Sequence, residues 1–353
     1  MRVAQMTMQA LISKVGNGPK TSKDLTWEEA KQAMRAMIEG QATPAQIGAF
    51  LMALRLKTES VTELAALTSA AREYVAPLPV QRRESLVDLP SYAGKQDTFH
   101  ASVGSSIVAA AAGGSVLMHG YDVVPHRTSS ARVLDTLGIR TDLEPRQVAD
   151  MVDRHGFAFL DLALYHPPIA RYLDLRQELG VRTAFHPVAR LLNPARAHAQ
   201  VIGVSHPPYF EKTAEALRML GSSRALVLRG VEGEPELAIT AITKVIELRD
   251  ERLAPLSLQP KDVGLSAGLP HQMAGFPAEQ LDKECALLIR IVNNQVQGGP
   301  RDWVVFNAAL LLYAGGKGSS IAACVPLAQQ AIDGGAAGRT LSALQSVRQP
   351  VNV

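Results

Sequence analysis

The sequence predicts an α/β protein: a small all-helical N-terminal domain over residues 1–80, then a larger α/β domain over 81–353 with a central, mainly parallel sheet. Two observations set the class. Residues 7–80 show amphipathic helical periodicity and no strand signal, whereas from Leu86 six short apolar runs alternate with helical stretches, the rhythm of parallel strands covered by helices. A third observation gives that class a possible use. The loops 90–98 and 121–130 each leave an apolar run for a helix, and such loops hold anionic ligands in open α/β sheets.

The elements follow in order. Thr26 and Glu29 form a capping box ahead of AKQAMRAMIEG, which Gly40 ends. Thr43-Pro44 starts the next helix, with Pro44 in a first-turn position where its missing N–H costs nothing and Ile47, Phe50, Leu51 and Leu54 as the apolar stripe. Ser60 and Glu63 open a third helix over 61–74, and Ala-Pro-Leu-Pro at 76–79 reads as a linker. The strand runs fall at 87–89, 115–118, 157–160, 200–204, 225–228 and 244–248. A small-residue helix spans 101–112, and helices at 281–297, 302–314 (stopped by Gly315-Gly316), 325–333 and 340–347 finish the chain.

Composition removes several function classes. At 47% apolar and 20% charged residues the chain has the make-up of a soluble globular protein, and no apolar run approaches the ~20 residues of a membrane span. The N-terminus lacks a signal-peptide pattern, and Cys285 and Cys324 sit far apart in apolar helical context, so both are expected to be reduced and buried in a cytoplasmic protein. The formal net charge of +3 is mild, but its distribution is uneven. Between 182 and 229, seven basic residues (Arg182, Arg190, Arg196, Lys212, Arg218, Arg224 and Arg229) face only two acidic ones, Glu211 and Glu215. Such a cluster reads either as a phosphate-binding track or as a solvated face balanced elsewhere.

Four stretches then resemble the anthranilate phosphoribosyltransferase family: DLTWEEAKQAMRAMIEGQATPAQIGAFLMALRLK (24–57), GFAFLDLALYHPPIARYLDLRQELGVRTAF (156–185), LLNPARAHAQVIGV (191–204) and NAALLLYAGGK (307–317). The resemblance implies the two-domain fold above, a homodimer formed through the helical domain, and a segment near 165–190 that returns to that domain. It also locates the family's sites. Its Gly-Thr-Gly-Gly-Asp pyrophosphate loop is replaced here by Pro90-Ser91-Tyr92-Ala93-Gly94, leaving Lys95 and the following helix N-terminus to reach a phosphate. In the second phosphate loop His119, Gly120 and the positive charge of Arg127 match, but Met118, Tyr121 and Asp122 stand at the family's Lys, Asn and Arg positions, and a carboxylate there repels a phosphate. His119 is either a packed strand-end residue or a polar site group.

Of the family's metal-holding Asp-Glu pair only Glu236 remains, because Pro235 replaces the Asp; magnesium is expected only if transferase activity survives. Glu232 and Glu234 are read as solvated loop charges. Arg176 aligns with an arginine that contacts the acceptor's carboxylate in the family, with packing as the alternative. At these departures Leu89-Pro90-Ser91-Tyr92-Ala93-Gly94, Val204-Ser205-His206-Pro207-Pro208-Tyr209 and Gly230-Val231-Glu232-Gly233-Glu234 are similar to the YbiB-type branch of the superfamily, which implies nucleic-acid binding without sequence preference.

Two functions follow. The first is a homodimer that binds single-stranded DNA or RNA on the seven basic residues, with Tyr209 and Phe210 available to stack bases and no cofactor. The alternative is a glycosyl- or phosphoribosyltransferase with an altered donor or acceptor, using Lys95, His119, Arg127, Arg176 and Glu236.

Overall fold

The computed structural model describes residues 6–18, 20–122, 124 and 126–347. Helices α1 (Met8–Gly16), α2 (Trp27–Ile38), α3 (Pro44–Lys57) and α4 (Val61–Ala71) make the N-terminal bundle, α2 packing on α4 and α1 on α3. Their starts follow local chemistry. Thr26, Thr43 and Ser60 each accept the N–H three residues on, and Glu29, Gln46 and Glu63 reach back to the cap N–H. Losing such a cap costs about 1 kcal/mol. Glu63 is buried because it also accepts from Leu25 N–H at 2.9 Å and from Lys57 at 2.7 Å.

Seven strands follow: β1 (Leu86–Ser91), β2 (Ser115–Gly120), β3 (Phe157–Asp161), β4 (Ala199–Gly203), β5 (Arg224–Leu228), β6 (Thr243–Arg249) and β7 (Arg252–Leu258). They form one sheet in the order β3-β2-β1-β4-β5-β6-β7. The first five are parallel, with Val87 opposite both Val116 and Ala199. The six runs expected from sequence fall on β1 to β6, with Val204 of the fourth just beyond its strand, and the sheet is mainly parallel as expected. The antiparallel part is β6, which forms a hairpin with β7, a strand not anticipated from the sequence.

The covering helices are α5 (Ala101–Ala111), α6 (Ser130–Thr136), α7 (Pro145–His155), α8 (Leu162–Tyr165), α9 (Pro167–Leu179), α10 (Phe185–Arg190), α11 (Pro208–Met219), α12 (Leu281–Val292), α13 (Gly299–Ala314), α14 (Ile321–Asp333) and α15 (Ala336–Gln345). Helix α13 is buried along almost its whole length against α5 and α14. No helix among the described residues is long and apolar enough to cross a membrane. Both cysteines are free and buried, and burial pushes the Cys285 thiol up to about 12.

The two regions are tied together on one side. Tyr172 of α9 donates to the Met37 carbonyl at 2.5 Å, His166 Nε2 lies 2.9 Å from the Ala71 carbonyl, and Arg55 donates to the Arg182 carbonyl at 2.7 Å. Strand order reverses between β1 and β4, since β2 and β3 lie to one side of β1 and β4 and β5 to the other. A crevice outside the carboxyl ends of such strands is where an open α/β sheet binds ligands.

Candidate functional site

Four loops meet at those carboxyl ends: residues 92–100 after β1, 121–129 after β2, 204–207 after β4 and 229–242 after β5. The last lies across the first as a strap. Three glutamates at alternate positions, Glu232, Glu234 and Glu236, fasten it, all turned inward, although Glu232 and Glu234 were expected to be solvated.

Glu232 accepts hydrogen bonds from the backbone N–H groups of Gln96 (3.0 Å), Asp97 (3.0 Å) and Thr98 (3.2 Å) and from the Thr98 hydroxyl (3.3 Å), and pairs with Arg127 at 2.8 Å. Glu234, buried, accepts from Ala93 N–H at 3.0 Å and Ser91 Oγ at 2.6 Å, and Ser91 Oγ in turn contacts Ser130 Oγ at 2.8 Å. Glu236, also buried, accepts from Ser102 N–H at 2.9 Å and from Lys95 Nζ at 2.5 Å.

These contacts correct two expectations. Lys95 does not reach toward a phosphate: its ammonium is buried, donates also to the Phe99 carbonyl at 2.6 Å and lies 4.7 Å from the Trp303 ring centroid. Both oxygens of Glu236 are committed, and its neighbour Pro235 offers no side-chain ligand, so this pair does not supply the carboxylates that hold a divalent cation. No group of three His, Cys, Asp or Glu side chains suited to a metal occurs among the described residues.

The other matched positions of the phosphate loops are structural. Tyr92, His119 and Tyr165 form a buried triangle, with Tyr92 Oη 2.8 Å from His119 Nδ1, Tyr165 Oη 2.9 Å from the same atom, and 2.9 Å between the hydroxyls. Asp88 lies 3.1 Å from His119 Nε2. Burial holds both tyrosines well above the usual phenol range. Of the two readings of His119, the structure shows the packed one. Gly120 has a steric reason: a Cβ there would meet the Ser91 carbonyl at 2.2 Å. Gly94 takes a left-handed φ of 62°, which lets Arg127 donate to its carbonyl at 2.8 Å.

Below the strap, between the two domains, is a cavity of about 530 Å³. Its polar lining includes Arg182, Thr183, His186, Arg190 and Tyr209, together with the buried carboxylate of Glu59. Burial and the neighbouring Arg190, Arg176, Arg127 and Arg55 push the Arg182 guanidinium down to about 10, and burial also lowers that of Arg190, whose one side-chain hydrogen bond is a 3.4 Å contact to the His186 carbonyl. Burial and the three arginines 190, 182 and 176 push His186 down to about 3, so its ring is neutral near pH 7. Nδ1 lies 3.2 Å from the Thr183 N–H and 3.3 Å from the Thr183 carbonyl, and the tautomer decides which of the two it bonds. Nε2, Thr183 Oγ1 and Arg176 Nη1 are buried without a hydrogen-bond partner among the described residues. A cavity with two partly desolvated arginines, an unpartnered imidazole nitrogen and an unpartnered hydroxyl can hold an anion, its one lining carboxylate, Glu59, being already bonded to Tyr209.

The seven basic residues expected to form one track do not share a face. Arg182 and Arg190 line the cavity, and Lys212 beside it donates to the Glu59 carbonyl and lies 5.0 Å from the Tyr209 ring. Tyr209 itself donates to Glu59. Arg196 lines a groove of about 840 Å³ formed by the chain entering β1, β4 and β5, at the opposite end of the sheet. Arg224 is buried at the start of β5, 4.2 Å from the Tyr313 ring and 3.6 Å from Glu247. Arg218 pairs with Glu215 at 2.8 Å, and Arg229 is exposed where the strap begins. The sequence analysis missed His186 and Thr183 as lining groups, and Glu232 and Glu234 as anchors. The departure at Gly230-Val231-Glu232-Gly233-Glu234 marked the two glutamate positions, but it does not reveal that their carboxylates turn inward.

Residues 83–338 match the model of the glycosyl transferase family α/β domain, and residues 9–75 match that family's helical bundle domain. An anthranilate phosphoribosyltransferase from Methanocorpusculum labreanum is 37% identical over 89% of this chain and 91% of its own. One from Symbiobacterium thermophilum is also 37% identical, over 96% and 97%. The crystal structure of anthranilate phosphoribosyltransferase from Thermus thermophilus superposes with a TM-score of 0.84 at 33% identity, covering 95% of this chain and 98% of that one. The Saccharomyces cerevisiae enzyme in complex with PRPP and Mg shares the fold, with a TM-score of 0.79 at 19% identity over 95% and 96% of the two chains.

Proposed function

The chain belongs to the anthranilate phosphoribosyltransferase superfamily of glycosyl transferases, and we propose that within it the protein is a glycosyl- or phosphoribosyltransferase with an altered donor, the interdomain cavity taking an anionic acceptor. The observation that carries this reading is a set of groups around one space: the partly buried Arg182 and Arg190, which pair with no carboxylate among the described residues, and His186 Nε2 and Thr183 Oγ1, which are buried there without a hydrogen-bond partner. Removing guanidinium groups from water without a counter-charge is costly, and a ligand carboxylate or phosphate would offset that cost through charge-assisted hydrogen bonds. An aromatic carboxylate of the size of anthranilate fits a space of about 530 Å³.

The chain's own groups would orient such an acceptor. Arg182 and Arg190 would hold the anionic end, and His186 would donate to it from Nε2 in the tautomer that carries the proton there. In a transfer step the acceptor's nucleophile forms a bond to the anomeric carbon while the leaving group departs with the bonding electrons. The donor side supports the word altered, because Lys95 and Glu236 bind each other and Glu232 covers the loop at 96–98.

Sequence-independent binding of single-stranded nucleic acid is the competing reading, and the division of the basic residues between two ends of the sheet argues against a continuous track. One titration separates the two. Purified protein is titrated with anthranilate and with a short oligonucleotide at ~50 mM salt, where phosphate-driven binding is strong. The expected result is saturable carboxylate binding that weakens about tenfold or more in Arg190→Ala, as for loss of one charge-assisted contact. Salt-sensitive oligonucleotide binding with no carboxylate binding would overturn the transferase reading.

A further inference from the structure

One of the strap's three anchors, Glu232, does more than fasten it. We propose that Glu232 is a specificity-determining residue: its carboxylate is a tethered anion seated where a donor phosphate would bind, so the protein admits glycosyl donors whose leaving group is not a pyrophosphate. This rests on the transferase reading above and names the donor class for it.

The geometry at Glu232 is that of a bound anion. Three backbone N–H groups, one hydroxyl and one guanidinium converge on its two oxygens, the donor types that would surround a phosphate. The residue adopts a left-handed φ of 52°, unusual for a non-glycine, and its side chain is 11% exposed. A strained backbone persists where its surroundings over-determine it. Here those surroundings include two close backbone approaches. A Cβ on Gly203 would meet the Glu234 carbonyl at 2.1 Å and one on Gly230 would meet it at 1.8 Å, so glycine at both positions lets the strap lie flat.

Several other donors at and after the first loop are also taken by the strap. Ser91 Oγ and Ala93 N–H go to Glu234, and Lys95 and Ser102 N–H to Glu236. A pyrophosphate entering this mouth would meet three glutamates in place of free donors. Glu232 is the one of the three on the less buried side, next to the half-buried Arg127, and it is the carboxylate whose removal frees a cation and three N–H groups together.

The test is equilibrium dialysis of the full-length protein against inorganic pyrophosphate, for wild type, Glu232→Ala, Glu232→Gln and Glu232→Ala/Arg127→Ala, with thermal melts on the same samples. Glu232→Ala is expected to bind pyrophosphate about tenfold or more tightly than wild type, a gain that a merely structural role would not produce. Glu232→Gln should show a smaller gain, and adding Arg127→Ala should abolish it. If Glu232→Ala fails to fold, the Glu232→Gln comparison decides. Wild type binding pyrophosphate as tightly as the folded variants would overturn the proposal. Anthranilate binding measured alongside separates the two claims: retained binding without a pyrophosphate gain sinks only the role of Glu232, and absent anthranilate binding sinks the acceptor reading while leaving the pyrophosphate comparison to stand.

Discussion

Replacing Lys95 by Met should destabilise the α/β domain by about 3–5 kcal/mol, the cost of leaving one member of a buried ion pair without its partner. Both side chains are fully buried, with 2.5 Å between Lys95 Nζ and Glu236 Oε2. With the ammonium gone, Glu236 keeps a single donor, Ser102 N–H, for a carboxylate that water does not reach. Glu236→Gln preserves that contact but leaves Lys95 with the Phe99 carbonyl and the face of Trp303. The double variant removes both charges, so its loss should be at least about 2 kcal/mol smaller than the sum of the singles, the sign of direct coupling. Urea unfolding followed by tryptophan fluorescence in a Trp27→Phe background, which leaves Trp303 as the reporter in contact with the lysine, measures all four proteins. A cost below about 1 kcal/mol for Lys95→Met, or additive singles, would refute the reasoning and return Lys95 to the set of groups free to meet a ligand.

Two further perturbations probe the cavity and the strap. The folded-state pKa of His186 is pushed from 6.5 to about 3, so below 6.5 the unfolded chain binds a proton that the native chain does not. Its contribution to stability is complete above pH 6.5 and is lost as pH falls from there toward 3, by up to about 1.4 kcal/mol per unit. His186→Gln should flatten that part of the urea midpoint against pH, and an unchanged slope would contradict the assignment. Gly203→Ala places a methyl group 2.1 Å from the Glu234 carbonyl and should cost about 1–3 kcal/mol. It should also make the strap a target for a glutamate-specific protease under conditions in which the wild-type strap resists cleavage.

The elements that sequence revealed are those specified locally. The caps at Thr26, Thr43 and Ser60 involve residues three apart, and β1 to β5 are short runs of apolar residues buried on both faces. The β6–β7 hairpin was hidden because its two turn residues, Asp250 and Glu251, adopt φ of 50° and 62° without the glycine that usually marks such a turn. Strand β7 is also mostly exposed and carries Pro255, which blurs its pattern. The site was less legible for a different reason. Whether Glu232 and Glu234 are solvated depends on partners 105 to 143 positions away, and Lys95 finds Glu236 across 141. No local pattern encodes those meetings. The departures at Pro90, Tyr92 and Pro235 did show that the phosphate loops had been rebuilt, but not what had replaced their ligands.

The strap also changes how an outside anion would compete for the cradle. Glu232 is covalently joined to the protein it binds, so it holds its place at an effective concentration on the order of millimolar, whatever the cell contains. An anion present at lower concentration gains entry only by making more contacts than one carboxylate can. Its rate of arrival would then be set by how often the 229–236 segment lifts from Gly203, rather than by diffusion to the mouth.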